Sequence, residues 1–167
     1  MPGPPTTAVT IDAHHHLWKY NERDYVWMSG AMGTLRRDFL PEHLREVMRE
    51  AGIDGAVAVQ ARQMVEETEW LLDLAGFHHW MRGVVGWVPL ADAGAGRALE
   101  RFADHPKLKG VRHVLHDEPD PRYMLRDDFN RGIALERIAP LQQIALQQQA
   151  AGLFGETRKE KILRQRQ

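Results

Sequence analysis

The chain has 167 residues, with 22 Lys and Arg against 23 Asp and Glu and no cysteine. That balance excludes a global pull toward nucleic acid or an anionic membrane, and the missing cysteine excludes disulfides and thiolate metal sites. With 43% hydrophobic and 27% charged residues, the composition is that of one soluble globular domain. The opening "MPGPPTTAV" has no basic segment followed by an apolar one, so no signal peptide is expected. No run reaches the ~18 apolar residues of a spanning helix, and the expected location is the cytoplasm.

"AVTID" (8–12) is apolar and β-branched and predicts a first strand. Residues 17–38 are irregular and rich in aromatics, with Trp18, Tyr20, Tyr25 and Trp27. "LPEHLREVMREAG" then predicts a helix, with Pro41 at its first position and Gly52 at its end. Leu44, Val47, Met48 and Ala51 share one face of it. Further strands are predicted over 55–61, 82–90 and 108–114, and helices over 66–79 and 96–105. A helical pattern resumes from Asp127. This alternation of apolar runs with amphipathic helices argues for an α/β fold with a parallel sheet. The end of the chain differs, with five Gln within 142–149 and a +3 balance from Glu156 onward. It is expected to be a solvated helix or frayed terminus.

The "HHH" at 14–16 follows the first strand directly. Side chains alternate along a strand, so His14 and His16 share a face and His15 points away. Two imidazoles so placed can chelate zinc or a similar divalent ion. Asp12 has the same parity and could hold one imidazole in its tautomer. A purification remnant is normally six His at a terminus, and a chance surface cluster is the bland alternative. The fourth strand ends in Arg112 and His113, with His116 close behind. Arg suits carboxylate or carbonyl recognition, and His serves as a base or a polarising donor. The alternative for Arg112 is a structural pair with an acid of "HDEPD". Gln60 could donate to a substrate oxygen or be a satisfied buried amide. Trp87 could be a substrate platform or core.

Taken together, "IDAHHHLW", "LRRDFLPEHL", "GIDGAVAVQA", "ETEWLL", "GVVGWVPL" and "HPKLKGVRHVLHDEPD" resemble the amidohydrolase-related hydrolases. Within them the likeness is to the sugar-lactone lactonases of the L-fuconolactonase and L-rhamnonolactonase type. It covers about residues 8–137. The resemblance implies a (β/α)8 TIM barrel and hydrolysis of a cyclic ester to its hydroxy acid. It assigns His14 and His16 to the strand 1 motif, which in some relatives binds a divalent metal and in others works without one. It places Arg112 and His113 in the strand 4 motif.

A complete barrel needs about 250 residues, and only four strands are legible here. The expectation is therefore a partial barrel of about four βα units in residues 1–139. A helical, Gln-rich and basic segment follows over 140–167. The family's strand 6 His and strand 8 Asp have no counterpart, which suggests a truncated or internally deleted chain. His14, His16 and His113 are the expected catalytic groups, with Gln60, Arg112, His116 and Trp87 around the substrate. With the family's Asp missing, His116, Asp117 or Glu118 would have to act as base. The expected partner is a small sugar lactone. Open strand edges also favour a homo-oligomer. The rival readings are an inactive half-barrel that persists by association and a metal-binding module without catalysis.

Overall fold

Gly55–Val59 is a run of small and β-branched residues with no charge, and it forms a buried inner strand, β2. It lies between β1 (Ile11–His15) and β3 (Met81–Gly86), and β4 (Leu108–Val111) completes a sheet of order β1-β2-β3-β4. Every pairing is parallel. The structure is a computed structural model that describes residues 9–28 and 30–136. The segment 140–167, with its expected helix, lies outside the described residues. Four helices intervene or follow: α1 (Pro41–Glu50), α2 (Val65–Phe77), α3 (Ala95–Ala103) and α4 (Asp127–Glu136). The element order matches the order read from the sequence.

Several strand boundaries differ from those expected. β1 starts three residues later than "AVTID", because its register is set by pairing Ile11 with Gly55 and Asp12 with Ala56. That shift carries His14 and His15 into the strand. β3 stops at Gly86, and β4 stops at Val111, the partner of Gly86 in the register. A strand cannot outrun the neighbour that satisfies its backbone.

Helix ends follow local chemistry. Pro41 opens α1, where its absent N–H is not missed. Gly52 ends it with a φ of 67°, the left-handed region open to glycine. The Gly52 N–H then reaches Arg49 O, and the Ile53 N–H reaches Met48 O at 2.8 Å. This reversal turns the chain into β2. One apolar core joins sheet and helices, including Ala56, Ala58, Met81, Val84 and Val111 from strands and Met48, Leu71, Leu99 and Phe129 from helices.

Leu17 joins that core, but the excursion from Trp18 to Phe39 that follows it does not. The excursion builds a second one from Trp18, Tyr25 and Met28, with Tyr20, Leu35, Phe39 and Ala61 packed around it. Reciprocal backbone hydrogen bonds between Trp18 and Phe39, at 3.0 and 2.9 Å, close the neck of this excursion. The Arg36 guanidinium holds the Met28 carbonyl from within.

A two-ended residue ties the excursion to α2. The Arg62 side chain pairs with Asp24 and lies over the Tyr25 ring, while its backbone N–H donates to Glu67 Oε2 at 2.6 Å. Glu67 is 1% exposed, and its other oxygen has only Arg62 Nε, 3.9 Å away. Burial therefore pushes its carboxyl up to about 7, against the opposing pull of Arg62. On the far side of the sheet's first strand, burial pulls His15 down to about 4.

Two outcomes test this packing. A Cβ on Gly132 of α4 would lie 1.9 Å from the Leu90 carbonyl oxygen, whereas one on Gly96 of α3 would meet only Leu135 Cδ1 at 3.8 Å. Gly132→Ala is expected to lower the unfolding free energy by about 1–3 kcal/mol. Gly96→Ala is expected to be neutral or stabilising by up to about 1 kcal/mol, both read from denaturant midpoints. Glu67 has a folded pKa raised above its unfolded 4.5, so its contribution to stability is complete below that value and is lost as pH rises through about 7. His15 works the other way, its contribution present above 6.5 and lost as pH falls through about 4. Glu67→Gln removes only the first slope. Its stability relative to the parent protein should rise across pH 4.5 to about 7, and a constant difference over that window would contradict the assignment.

Candidate active site

The C-terminal ends of the four parallel strands lie together, and side chains from three of them converge. At the end of β1, His14 Nε2 and His16 Nε2 face each other at 3.2 Å, as their shared parity predicts. His16 Nδ1 lies 2.8 Å from the Val59 carbonyl. A carbonyl can only accept, so Nδ1 carries the proton and Nε2 presents its lone pair. Burial keeps the His16 pKa below its ordinary value, and His14 and the Arg112 charge add to the effect.

The pair fits a divalent ion. With a zinc–nitrogen bond of about 2.0–2.1 Å, a 3.2 Å separation subtends an angle of about 100°, close to tetrahedral. The Val59 carbonyl supplies the backbone acceptor that fixes a metal-bound imidazole. Among the described residues no group of three or more His, Cys, Asp or Glu is placed to hold an ion. His14 and His16 by themselves offer two nitrogens at that spacing.

Asp12 does not hold either of these rings. Its Oδ1 accepts the His14 backbone N–H at 3.1 Å, and its Oδ2 lies 3.7 Å from His15 Nδ1. The β1–β2 register shifts between Asp12 and His15, so strict alternation fails there and the carboxylate folds back along its own strand.

A cleft of about 400 Å³ opens beside the pair, within the range of small-molecule sites. His16, Arg112, His116 and Asp117 give it a polar side, and Trp18, Trp27 and Leu35 an apolar one. The Arg112 backbone N–H continues the ladder to Gly86 O at 2.8 Å, which aims its side chain to the inner face. It is 9% exposed, and one guanidinium nitrogen has a long contact to Gln60 O at 3.5 Å. Burial lowers its pKa, while Asp117 raises it. His116 Nε2 and Asp117 Oδ1 are 3.2 Å apart on the short helical turn after β4.

Four expected site residues lie outside the cleft lining: His14, which faces His16, and Gln60, Trp87 and His113. Gln60 is 0% exposed, and its Nε2 donates to the Arg112 carbonyl at 3.1 Å. It braces the end of β2 against the end of β4, and its Oε1 is buried without a partner. Trp87 and His113 face each other instead of the cleft. The Trp87 indole N–H donates to His113 Nδ1 at 3.2 Å, so the His113 proton sits on Nε2, 2.6 Å from Glu118 Oε1. Tyr123 stacks on the imidazole at 4.9 Å and Phe129 meets its edge. Both His113 nitrogens are engaged, and Glu118 is turned away with them.

The apolar wall was not singled out from the sequence. Its signal was present in the aromatic-rich excursion of residues 17–38, but composition does not say which ring faces a cleft. Likewise Arg62 and Glu67 carry no pattern that distinguishes them from surface charges.

Residues 11–144 match the amidohydrolase family. The chain is 42% identical over 130 residues to an L-fucono-1,5-lactonase from Burkholderia multivorans, an alignment covering 76% of this chain and 43% of that protein. A crystal structure of an amidohydrolase from Burkholderia multivorans with bound HEPES superposes with a TM-score of 0.76 at 36% identity, covering 83% of this chain and 48% of that one. A second crystal structure, with bound zinc, gives 0.74 at 37% identity, covering 83% and 49%. The chain thus spans about half the length of the relatives it matches. With four parallel strands joined by helices in their order, it corresponds to about half of their barrel, and it belongs to the amidohydrolase family.

Proposed function

We propose that this chain carries a site that hydrolyses a sugar lactone. The observation that carries the reading is that His16, 3.2 Å from His14, and the buried Arg112 line one cleft. The likeness to an L-fucono-1,5-lactonase supplies the substrate class. A divalent ion held by His14 and His16, when bound, would supply Lewis-acid polarisation and a more acidic water.

The chain's own residues do the rest. Arg112 donates to the lactone carbonyl oxygen, where negative charge develops as water adds to the carbonyl carbon. His116 points Nε2 at Asp117, which leaves Nδ1 to take a proton from the attacking water. The carbon–oxygen bond of the ring then breaks, and the ring oxygen leaves as the hydroxyl of the open acid, taking the proton that His116 removed from the water. His113 and Glu118, locked to one another, act as positioning residues that shape the loop carrying His116. Gln60 does the same for Arg112 through its carbonyl.

A second reading concerns assembly. Among the described residues β1 and β4 each have one neighbour, and open edges template pairing. We propose that the chain self-associates through them. Light scattering after size-exclusion chromatography should give a mass above the monomer at micromolar concentration. A monomer at every concentration overturns this reading.

Catalysis is tested by following acid release from L-fucono-1,5-lactone, with and without zinc. Arg112→Met is expected to lower kcat/KM by about 10²–10³-fold in protein whose circular dichroism is unchanged. His14→Ala and His16→Ala should abolish zinc binding by calorimetry. Absence of turnover in the folded parent protein under both conditions, or full turnover by Arg112→Met, would sink the proposal.

A further inference from the structure

The apolar wall of the cleft holds residues of two kinds. Trp18 is committed to the fold. It is 9% exposed, its ring packs on Phe39 at 4.4 Å, and its indole N–H donates to the Leu35 carbonyl. Leu35 packs into the same small core. Trp27 differs. It lines the cleft, is 50% exposed, and is not part of that core.

Its backbone is nevertheless fixed. Tyr25 and Met28 on either side are each 1% exposed. The Met28 N–H donates to Tyr25 O at 3.0 Å, and Arg36 grips the Met28 carbonyl with Nη2 at 2.6 Å and Nε at 3.1 Å. The Tyr25 ring lies under the Arg62 guanidinium. The Trp27 ring meets the Tyr25 ring at 6.4 Å on one side, and its other half is left in water over the cleft. Ordering its surroundings is an entropic cost, and the half of the ring that faces the cleft is contact surface left open to a ligand.

The cleft is also asymmetric. Its polar residues come from the strand ends and the loop after β4, and its aromatic ones from the excursion. A ligand anchored by its ester group at Arg112 presents its carbon-bound edge to Trp27 and Leu35. We infer that Trp27 is a specificity-determining residue that seats an apolar substituent of the ligand. Within the lactone class of the proposed function, that substituent is the terminal methyl group. This inference rests on the lactonase reading.

The test uses two hydroxy acids that the protein cannot turn over further, L-fuconate and D-arabinonate, which differ by that single methyl. Affinities are measured by calorimetry and tryptophan fluorescence on the full chain. The parent protein is expected to favour L-fuconate by about 3- to 10-fold, the yield of one buried methyl. Trp27→Ala should bring the ratio within about twofold, and Trp27→Phe should restore most of it. Binding of both acids with equal affinity, or an unchanged ratio in Trp27→Ala, overturns the inference while leaving the lactonase reading standing. Failure of both acids to bind the folded parent protein at millimolar concentration overturns the lactonase reading and the inference with it.

Discussion

The hydrogen bond from His16 Nδ1 to the Val59 carbonyl ties the end of β1 to the end of β2, and the chemistry of the strand ends depends on it. β1 has one neighbour among the described residues, and its last register partner is His15 with Ala58. Beyond that point no ladder bond holds the chain. The imidazole takes over as a crosslink and is itself locked into one tautomer. Nε2 is thereby turned toward His14 with its lone pair exposed. A ring free to rotate or to exchange tautomers would lose the spacing of the two nitrogens.

The same device recurs at each strand end. Gln60 Nε2 reaches from β2 to the Arg112 carbonyl beyond β4, and Gln63 Oε1 accepts the Val114 N–H at 2.9 Å. Thr68 Oγ1 on α2 accepts the Trp87 N–H at 2.7 Å and donates to the Trp87 carbonyl at 2.8 Å. Where parallel strands diverge, their last backbone groups lose strand partners and would be left unsatisfied in a poorly solvated place. Side chains replace the ladder there. The cleft is therefore floored by groups whose positions are set by long-range hydrogen bonds, and Arg112 stays available because its neighbours have taken the structural work.

The order of elements was legible in the sequence because it rests on short-range patterns. Apolar runs of β-branched and small residues marked the strands, and the periodicity of Leu44, Val47 and Met48 marked α1. The parity of His14 and His16 was legible for the same reason. What failed depended on partners far away in the chain. The start of β1 was set by pairing with Gly55 and Ala56. Asp12 was read by parity, but a register shift redirected its carboxylate. Arg112 and His113 are adjacent and were expected to act together. They leave β4 on opposite sides, one toward the cleft and one into a cluster with Trp87, Glu118 and Tyr123. No local pattern encodes which of two adjacent polar residues finds an indole donor 26 positions upstream.

The two apolar cores have a consequence for how such a chain can change over time. Sheet and helices are stabilised by one set of buried residues, and the excursion of residues 18–39 by another, joined through Ala61 and the Arg62 tether. Substitutions in separate clusters with few shared partners combine almost additively. Rings on the cleft wall can therefore be exchanged without drawing on the stability of the strands that hold Arg112 and the histidine pair. Ligand preference and structural integrity become separately adjustable properties, with drift in the first tolerated so long as the neck between Trp18 and Phe39 stays closed.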